Sequence, residues 1–343
     1  ATLNKLGVAL AADSAVTISQ GGQSKKVFNT ADKLFELSCR YPIACMIFSG
    51  GQFLEAPLPV LIKAFRAKDE DAPTVKDLSR KLLDFFLEFV LNSPSTVKNR
   101  PVEVISRKIA DVIGKRVKDA LGTKLAGLFQ KAADGEKLPE ISDVVDDIWD
   151  STLQAFERYI RSFPEATFLG VYPGSADLSA PISAGMSKAD GEVPEKFSGR
   201  LTAVIEEALK RATPYSSSTG VVVAGFGEQE IFPTLVHVNV FEPILSCLKY
   251  VEGREVDIGR DGPKARVLAF AQREMAERFL FGLDTQLKQR LGRFARETVS
   301  SIRKTIPRSR RRYPRLKQRL CMNLRIPVWR RSGRTPSAQL RKW

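Results

Sequence analysis

Two short, continuously apolar blocks near the start of the chain constrain its fold most strongly. Gly7-Val-Ala-Leu-Ala-Ala-Asp13 ends in an acid, and Pro42-Ile-Ala-Cys-Met-Ile-Phe48 is followed by Ser49-Gly50-Gly51. Both blocks are too short and too uniformly apolar for surface helices, so they predict central strands that are covered on both faces. A chain with such strands must supply further layers that pack on either side of a sheet.

From Gln52 onward the apolar residues recur every three to four positions, which is the period of a helix. The helices predicted in this part of the chain are 52–66, 74–92, 102–133 and 140–163. Thr74, with Asp77 three residues later, predicts the N-cap of the second of these helices. The Pro-, Gly- and Ser-containing stretch 173–198 predicts a loop or linker.

Strand character returns after this stretch. Val221–Phe226 and Leu235–Val240 predict a hairpin, and a further helix is predicted over 264–283. The order of strands, helices, strands and helix predicts an α+β fold with a helical insertion at about 95–200.

The net charge of +15 is confined to one end of the chain. Residues 301–343 hold 15 Lys and Arg and no acid, whereas the rest of the chain has 39 basic and 39 acidic residues. We therefore predict a domain over 1–285 and a basic tail over 286–343. Three interpretations of the tail stay open: a nucleic-acid contact through arginines, Tyr313, Trp329 and Trp343, a disordered solubilising or docking arm, or translation out of frame. Nucleic-acid binding is not inferred from it.

The remaining composition predicts a cytoplasmic protein. No apolar run reaches the ~18–20 residues that span a bilayer, so no membrane partner is expected. The spacing of the four cysteines fits neither a disulfide framework nor a zinc site; they are Cys39, Cys45, Cys247 and Cys321. His237 is the only histidine, which disfavours a metal centre or a Ser-His-Asp triad, and no cofactor is expected.

Polar residues stand at the ends of the predicted strands. Asp13 ends the first apolar block, Lys33 opens Lys33-Leu-Phe-Glu-Leu37, and Gly50 and Gly51 allow close backbone approach. If these strand ends meet, they form a polar pocket at one sheet edge, in which a lysine oriented by an acid activates a hydroxyl nucleophile. A structural ion pair between strand ends explains Asp13 and Lys33 equally well.

Taken together, these blocks resemble the opening of a proteasome β-type subunit. More closely, they are similar to bacterial proteasome-like proteins of the N-terminal-nucleophile (Ntn) hydrolase superfamily. The resemblance covers roughly residues 1–66 and 215–284. It implies a four-layer αββα sandwich and a peptidase or amidohydrolase that uses an N-terminal threonine. It also implies a peptide or protein substrate, a homo-oligomeric ring and an unfoldase partner.

The resemblance assigns a role to each matching position. Thr2 is the candidate nucleophile, Asp13 orients and polarises, and Lys33 lowers the pKa of the hydroxyl group. Gly50 and Gly51 form the oxyanion and substrate-binding edge. Ser218, which opens Ser218-Thr-Gly-Val-Val-Val-Ala-Gly-Phe226, matches a serine that the family keeps near the amine of the threonine.

The chain departs from the family at both ends. Thr2 follows Ala1 and lies 11 residues before Asp13, fewer than in the family. A hairpin that turns near Lys5 and Leu6 would place Asp13 opposite a residue upstream of Ala1. The family's closing hairpin supplies an acid, whereas this chain has no Asp after Asp284. An inactive proteasome-like scaffold subunit is therefore the alternative function, and nucleic-acid binding through the tail is the third.

Overall fold

The computed structural model describes residues 1–14, 16–20, 23–28, 32–133, 139–259, 262–271, 278, 282 and 285–305. The chain divides into two compact units, Ala1–Ala271 and Gln272–Trp343. The basic tail beyond residue 305, and half of the helix predicted over 264–283, lie outside the described residues.

The described part of the first unit contains 13 strands, all in antiparallel pairs. They are β1 (Thr2–Asn4), β2 (Gly7–Ala9), β3 (Val16–Gln20), β4 (Gln23–Phe28), β5 (Leu34–Glu36), β6 (Ile43–Phe48), β7 (Gln52–Phe53), β8 (Ala56–Pro57), β9 (Thr167–Leu169), β10 (Ser218–Gly225), β11 (Thr234–Phe241), β12 (Leu248–Asp257) and β13 (Ala265–Val267). Six of them form a sheet in the order β5-β6-β10-β11-β12-β9, and three form a second sheet in the order β13-β1-β2. The pairs β3-β4 and β7-β8 are separate hairpins.

Seven α-helices lie within the described residues, so the fold is mixed α/β with antiparallel sheets. They are α1 (Leu58–Ala67), α2 (Val75–Asn92), α3 (Ser95–Ala133), α4 (Ile141–Arg161), α5 (Ser175–Met186), α6 (Glu195–Lys210) and, in the second unit, α7 (Thr285–Thr305). The predicted cap of α2 is confirmed, because the Thr74 hydroxyl oxygen accepts a hydrogen bond from the Asp77 N–H at 3.0 Å. In the described part of the chain, no helix has both the length and the apolar character needed to cross a membrane.

Helices α1 and α2 cover one face of the six-stranded sheet. Phe65 and Phe86, one from each helix, are almost fully buried against Ile47, Val223 and Val240 of the sheet. Alternation of side chains along a strand sends the intervening residues to the opposite face. There Met46, Val222, Leu235 and others pack against Leu3 of the three-stranded sheet. The first unit therefore stacks a helical layer, a six-stranded sheet and a three-stranded sheet.

Helices α3 to α6 form a second core beside these layers. Ile109, Ile113, Phe156, Ile182 and Leu201 lie at its centre and are completely buried. Helix α5 approaches α3 closely at Gly185, where a Cβ atom would lie only 2.4 Å from the Glu103 carbonyl oxygen. The absence of a side chain at Gly185 therefore sets the spacing of these two helices.

Several boundaries differ from the sequence prediction. The strand predicted for 42–48 and the hairpin of β10 and β11 are confirmed. The loop predicted for 173–198 is wrong over Ser175–Met186, where the small residues of α5 suit close packing on α3, and again from Glu195, where α6 begins. Residues 52–57 form the β7-β8 hairpin instead of the first turns of a helix, and 265–267 form β13. Only the last of these departures, β13, involves pairing with a segment distant in sequence, since Ala265–Val267 pairs with β1.

The first apolar block also differs from the prediction of a central strand. Only Gly7–Ala9 is a strand, and it lies at the edge of the three-stranded sheet. The hairpin turns at Lys5 and Leu6, where the Asn4 side-chain oxygen accepts hydrogen bonds from the N–H groups of Leu6 and Gly7 at 2.8 and 3.0 Å. Since β1 has three residues, it pairs with only three residues of β2.

Candidate functional site

The termini of four neighbouring strands meet at one end of the six-stranded sheet, which we call the sheet end. Lys33 immediately precedes β5, and its carbonyl oxygen accepts a hydrogen bond from the Ile47 N–H at 2.9 Å. Gly220 of β10 pairs with Phe48, the last residue of β6, and a Cβ atom at Gly50 would lie 3.2 Å from the Ser218 carbonyl oxygen. Ser218 in turn pairs with Phe241, the last residue of β11. The antiparallel topology thus gathers Lys33, Gly50 and Ser218 from separate parts of the chain.

Asp13 joins the sheet end through an ion pair with Lys33. The Lys33 Nζ donates a hydrogen bond to the Asp13 Oδ1 at 2.7 Å. The lysine side chain is 21% exposed and the aspartate side chain is 74% exposed. An ion pair with one well-hydrated partner contributes at most about 1 kcal/mol to stability. Apart from this contribution to stability, the ion pair fixes the position of the Lys33 ammonium group at the start of β5.

Gly50 lies in close contact with the start of β10. A Cβ atom at Gly50 would lie 2.1 Å from the Thr219 side-chain oxygen and 3.2 Å from the Ser218 carbonyl oxygen. No atom lies within 4 Å of the corresponding position at Gly51, whose carbonyl oxygen instead accepts the Leu58 N–H at 2.9 Å. Close backbone approach therefore requires glycine at position 50 and not at position 51.

The backbone around these glycines is strained. Ser49, Leu54 and Glu55 all have positive φ angles, of 72°, 46° and 65°. A non-glycine residue in this region costs on the order of 1 kcal/mol or more, and surrounding contacts must hold it there. Such strain concentrates at binding and catalytic segments, which makes the 49–55 segment a candidate for function.

The Ser218 side chain lies on the face of the sheet that packs on β1 and β2. A Cβ atom at Gly220, two residues along β10, would meet the Phe48 ring at 2.0 Å, and Phe48 packs in the core between the two sheets. Since side chains alternate along a strand, Ser218 shares that face with Gly220. Thr219 and Ser217 lie on the face covered by the helices.

Thr2 occupies the middle strand of the three-stranded sheet. It pairs with Ala9 on one side and Val267 on the other. Along β1 the exposure alternates, with Leu3 buried toward the six-stranded sheet and Thr2 exposed on the opposite side. The Ala1 amine donates a hydrogen bond to the Leu268 carbonyl oxygen at 2.8 Å, and burial lowers the pKa of this amine.

Lys33, Gly50 and Ser218 lie near the same end of the sheet in the backbone, and Asp13 pairs with Lys33, but in the described part of the chain no hydrogen bond or ion pair joins Lys33 to Gly50, Ser218 or Thr2. The hairpin register pairs Thr2 with Ala9, which is four residues before Asp13. Among the described residues, no hydrogen bond links the Thr2 side chain to Asp13 or Lys33. Of the predicted constellation, the Asp13–Lys33 contact is observed, whereas Thr2 lies on the middle strand of the three-stranded sheet, and the catalytic roles stay a prediction.

Sequence reasoning missed a cleft at the same sheet end, on the helical face. It has a volume of about 220 Å³ and lies between the 49–55 segment and α3. Its floor includes Ser217 and the carboxylate of Glu242, the residue that follows β11. Glu242 carries the same sequence signal as Asp13, an acid directly after an apolar strand, but the β11 block was interpreted only as one strand of a hairpin. In the described part of the chain, no three His, Cys, Asp or Glu side chains cluster in a way that would hold a metal ion.

Comparisons with protein-family models, with curated protein sequences and with solved structures find no significant match to this chain.

Proposed function

We propose that this chain is a proteasome-like peptidase or amidohydrolase of the Ntn type. The observation that carries the proposal is the Asp13–Lys33 ion pair, 2.7 Å long, at the sheet end that also holds Gly50 and Ser218. The stacking of helices, six-stranded sheet and three-stranded sheet supports the αββα sandwich that the resemblance implies.

Within this proposal, the groups at the sheet end divide the chemistry of amide hydrolysis. The Lys33 ammonium, held by Asp13, stabilises negative charge on an attacking hydroxyl group. Backbone N–H groups of the 49–51 turn stabilise the oxyanion of the tetrahedral intermediate. As the hydroxyl oxygen bonds to the substrate carbonyl carbon, its proton passes to the free α-amine of an N-terminal threonine and from there to the leaving amine as the C–N bond breaks; water then hydrolyses the acyl-enzyme. Thr2 is the nucleophile according to the resemblance, and Ser218 supplies a second hydroxyl group at the start of β10, where its carbonyl oxygen lies close to Gly50.

The position of Thr2 favours a second candidate function, an inactive proteasome-like scaffold. Thr2 lies between two paired strands with its side chain exposed, and its own nitrogen is an amide that cannot act as a base. A scaffold subunit would retain the fold and the self-association expected of the family without reacting with substrate.

A hydroxyl-directed β-lactone probe distinguishes the two functions. The full chain is incubated with the probe, its intact mass is measured, and the modified residue is located by peptide mapping. The peptidase predicts one adduct, on Thr2 or Ser218, which disappears in Lys33→Ala. Lys188→Ala is the matched control, because Lys188 forms an ion pair of similar length, 2.6 Å, with Glu103 in the insertion. This variant should label like the unmodified chain.

Two results would decide against the peptidase. The first is the absence of any adduct on protein shown to be folded by circular dichroism, which leaves the scaffold function. The second is labelling that persists unchanged in Lys33→Ala. A chain that begins at Thr2 provides a third measurement, because it carries the free α-amine that the proposed mechanism uses as a base. If Thr2 is the nucleophile, that chain should react faster than the chain beginning at Ala1.

A further inference from the structure

The cleft on the helical face of the sheet end is enclosed by three segments. Helix α3 contributes Val97, Val104 and Ile105, the strained 49–55 segment contributes Leu54, and Tyr215 closes one side. These walls are largely apolar. The volume of about 220 Å³ is below the roughly 300 Å³ of typical small-molecule pockets, so the cleft suits a ligand of few atoms.

Glu242 places a carboxylate on the floor of this apolar cleft. Its one described hydrogen bond comes from the Leu54 N–H at 3.4 Å, which is long for an N–H to oxygen contact. Among the described residues, no lysine or arginine nitrogen lies within 4.0 Å of it. Burial raises the pKa of the Glu242 carboxyl group, and nearby Glu55 raises it further, whereas the Leu54 N–H and Lys108 lower it. Glu242 is half-buried, and a carboxylate with one long hydrogen bond in apolar surroundings is stabilised when a cation completes its contacts.

The other charged groups of the cleft have partners of their own. Arg100 forms an ion pair with Glu55 at the exposed rim. Lys108 donates a hydrogen bond to the Tyr215 carbonyl oxygen at 3.4 Å. Among the described residues, neither Arg100 nor Lys108 lies within 4.0 Å of the Glu242 carboxylate, so no cationic side chain is in direct contact with it.

We propose that this cleft binds a primary ammonium group carried on a short apolar chain, with the Glu242 carboxylate as its counter-ion. The ammonium group donates charge-assisted hydrogen bonds to the carboxylate, and the apolar walls bury the methylene groups. Ser217 and Gln52 supply further oxygen acceptors at the cleft. Glu242 follows Val240 on the helical face, whereas Ser218 lies on the opposite face, so this inference does not rest on the proposed hydrolase activity.

Isothermal titration calorimetry on the full chain tests the proposal with three probes of similar length: n-hexylamine, 1-hexanol and hexanoate. Hexylamine, which is protonated at neutral pH, should bind saturably at millimolar concentration or below. Hexanol should bind at least tenfold more weakly because it lacks the charge, and hexanoate should not bind. Glu242→Gln should weaken hexylamine binding at least tenfold. Glu88→Gln, which removes a carboxylate paired with Lys68 outside the cleft, should leave it unchanged.

Two further measurements keep the test valid if Glu242→Gln does not fold. Val104→Phe fills the cleft from a partly exposed position on α3 and should abolish binding while Glu242 stays intact. In the unmodified chain, affinity should fall as the pH is lowered through the raised pKa of Glu242, because a protonated carboxyl group carries no charge. The proposal is overturned if folded protein does not bind hexylamine, or if it binds hexanol or hexanoate as tightly as hexylamine. It is also overturned if folded Glu242→Gln or Val104→Phe binds hexylamine with unchanged affinity.

Discussion

Replacing Lys249 with methionine should stabilise the protein at and below neutral pH. Lys249 lies on β12 and is completely buried. Its Nζ donates a hydrogen bond to the Arg211 carbonyl oxygen at 2.5 Å and lies 5.2 Å from the centre of the Phe241 ring. In the described part of the chain, no carboxylate lies within 4.0 Å of this ammonium group. Methionine fills a similar volume without a charge.

The size of the effect follows from the pKa of the lysine. Burial lowers this pKa from 10.5 to about 7. Each pKa unit corresponds to about 1.4 kcal/mol, so burying the charged form costs up to about 5 kcal/mol. The lost hydrogen bond to Arg211 offsets roughly 1 kcal/mol of this. The Arg211 carbonyl oxygen keeps a partner, because it also accepts the Thr213 N–H at 2.9 Å. We expect a net gain of about 2–4 kcal/mol at pH below about 7.

The pH dependence provides the sharper test. Between about pH 7 and pH 10.5 the unfolded chain keeps a proton on Lys249 that the folded chain has lost. The unfolded state therefore binds more protons at Lys249, and the contribution of this residue to the free energy of unfolding rises with pH across this window. The advantage of Lys249→Met should accordingly shrink as the pH rises toward about 10.

Urea unfolding followed by circular dichroism, at about pH 6 and about pH 10, measures both quantities. Lys188→Met is the control, because it removes an exposed lysine that pairs with Glu103 and should change stability little at either pH. The reasoning fails if Lys249→Met is less stable than the unmodified chain at the lower pH, or if its advantage is the same at both values.

Three further substitutions test the packing that positions the site, each by urea unfolding. Gly50→Ala places a methyl group 2.1 Å from a threonine oxygen on β10 and should lower the free energy of unfolding by about 1–3 kcal/mol, whereas Gly51→Ala, with open space, should change it by less than about 0.5 kcal/mol. Gly185→Ala should cost about 1–3 kcal/mol, because it pushes α5 from α3, while Gly199→Ala in α6 has no atom within 4 Å and should stabilise by up to about 1 kcal/mol. Thr74→Ala should cost about 1 kcal/mol through loss of the α2 cap. Equal effects within either glycine pair, or an unchanged stability of Thr74→Ala, would contradict this account.

Only those residues of the candidate site that stand directly beside an apolar strand could be predicted from the sequence. Asp13 and Lys33 are conspicuous because each stands beside an apolar strand, and Gly50 because it follows one. Glu242 has the same signal, but its importance depends on α3, which encloses the cleft from a part of the chain more than a hundred residues away. No local pattern reveals such a contact.

The burial of Lys249 likewise could not be predicted from the sequence. A lysine in a strand is expected at the surface, since burial of its charge is costly. It is buried because β9 pairs with β12 and places Phe168 opposite it, while the Arg211 carbonyl oxygen lies within reach of its Nζ. The sequence contains no sign of this pairing, because β9 has only three residues and follows a long helix.

By itself the sequence determined the features that depend on neighbouring residues. These are the apolar strands, the helical period of the insertion, the α2 cap and the confinement of excess charge to one end. Only the tertiary structure decided which strand ends meet, that Thr2 faces away from the six-stranded sheet, and that a cleft opens over Glu242. Propensity and periodicity act over a few residues, whereas register and layer packing arise from contacts between segments distant in the chain.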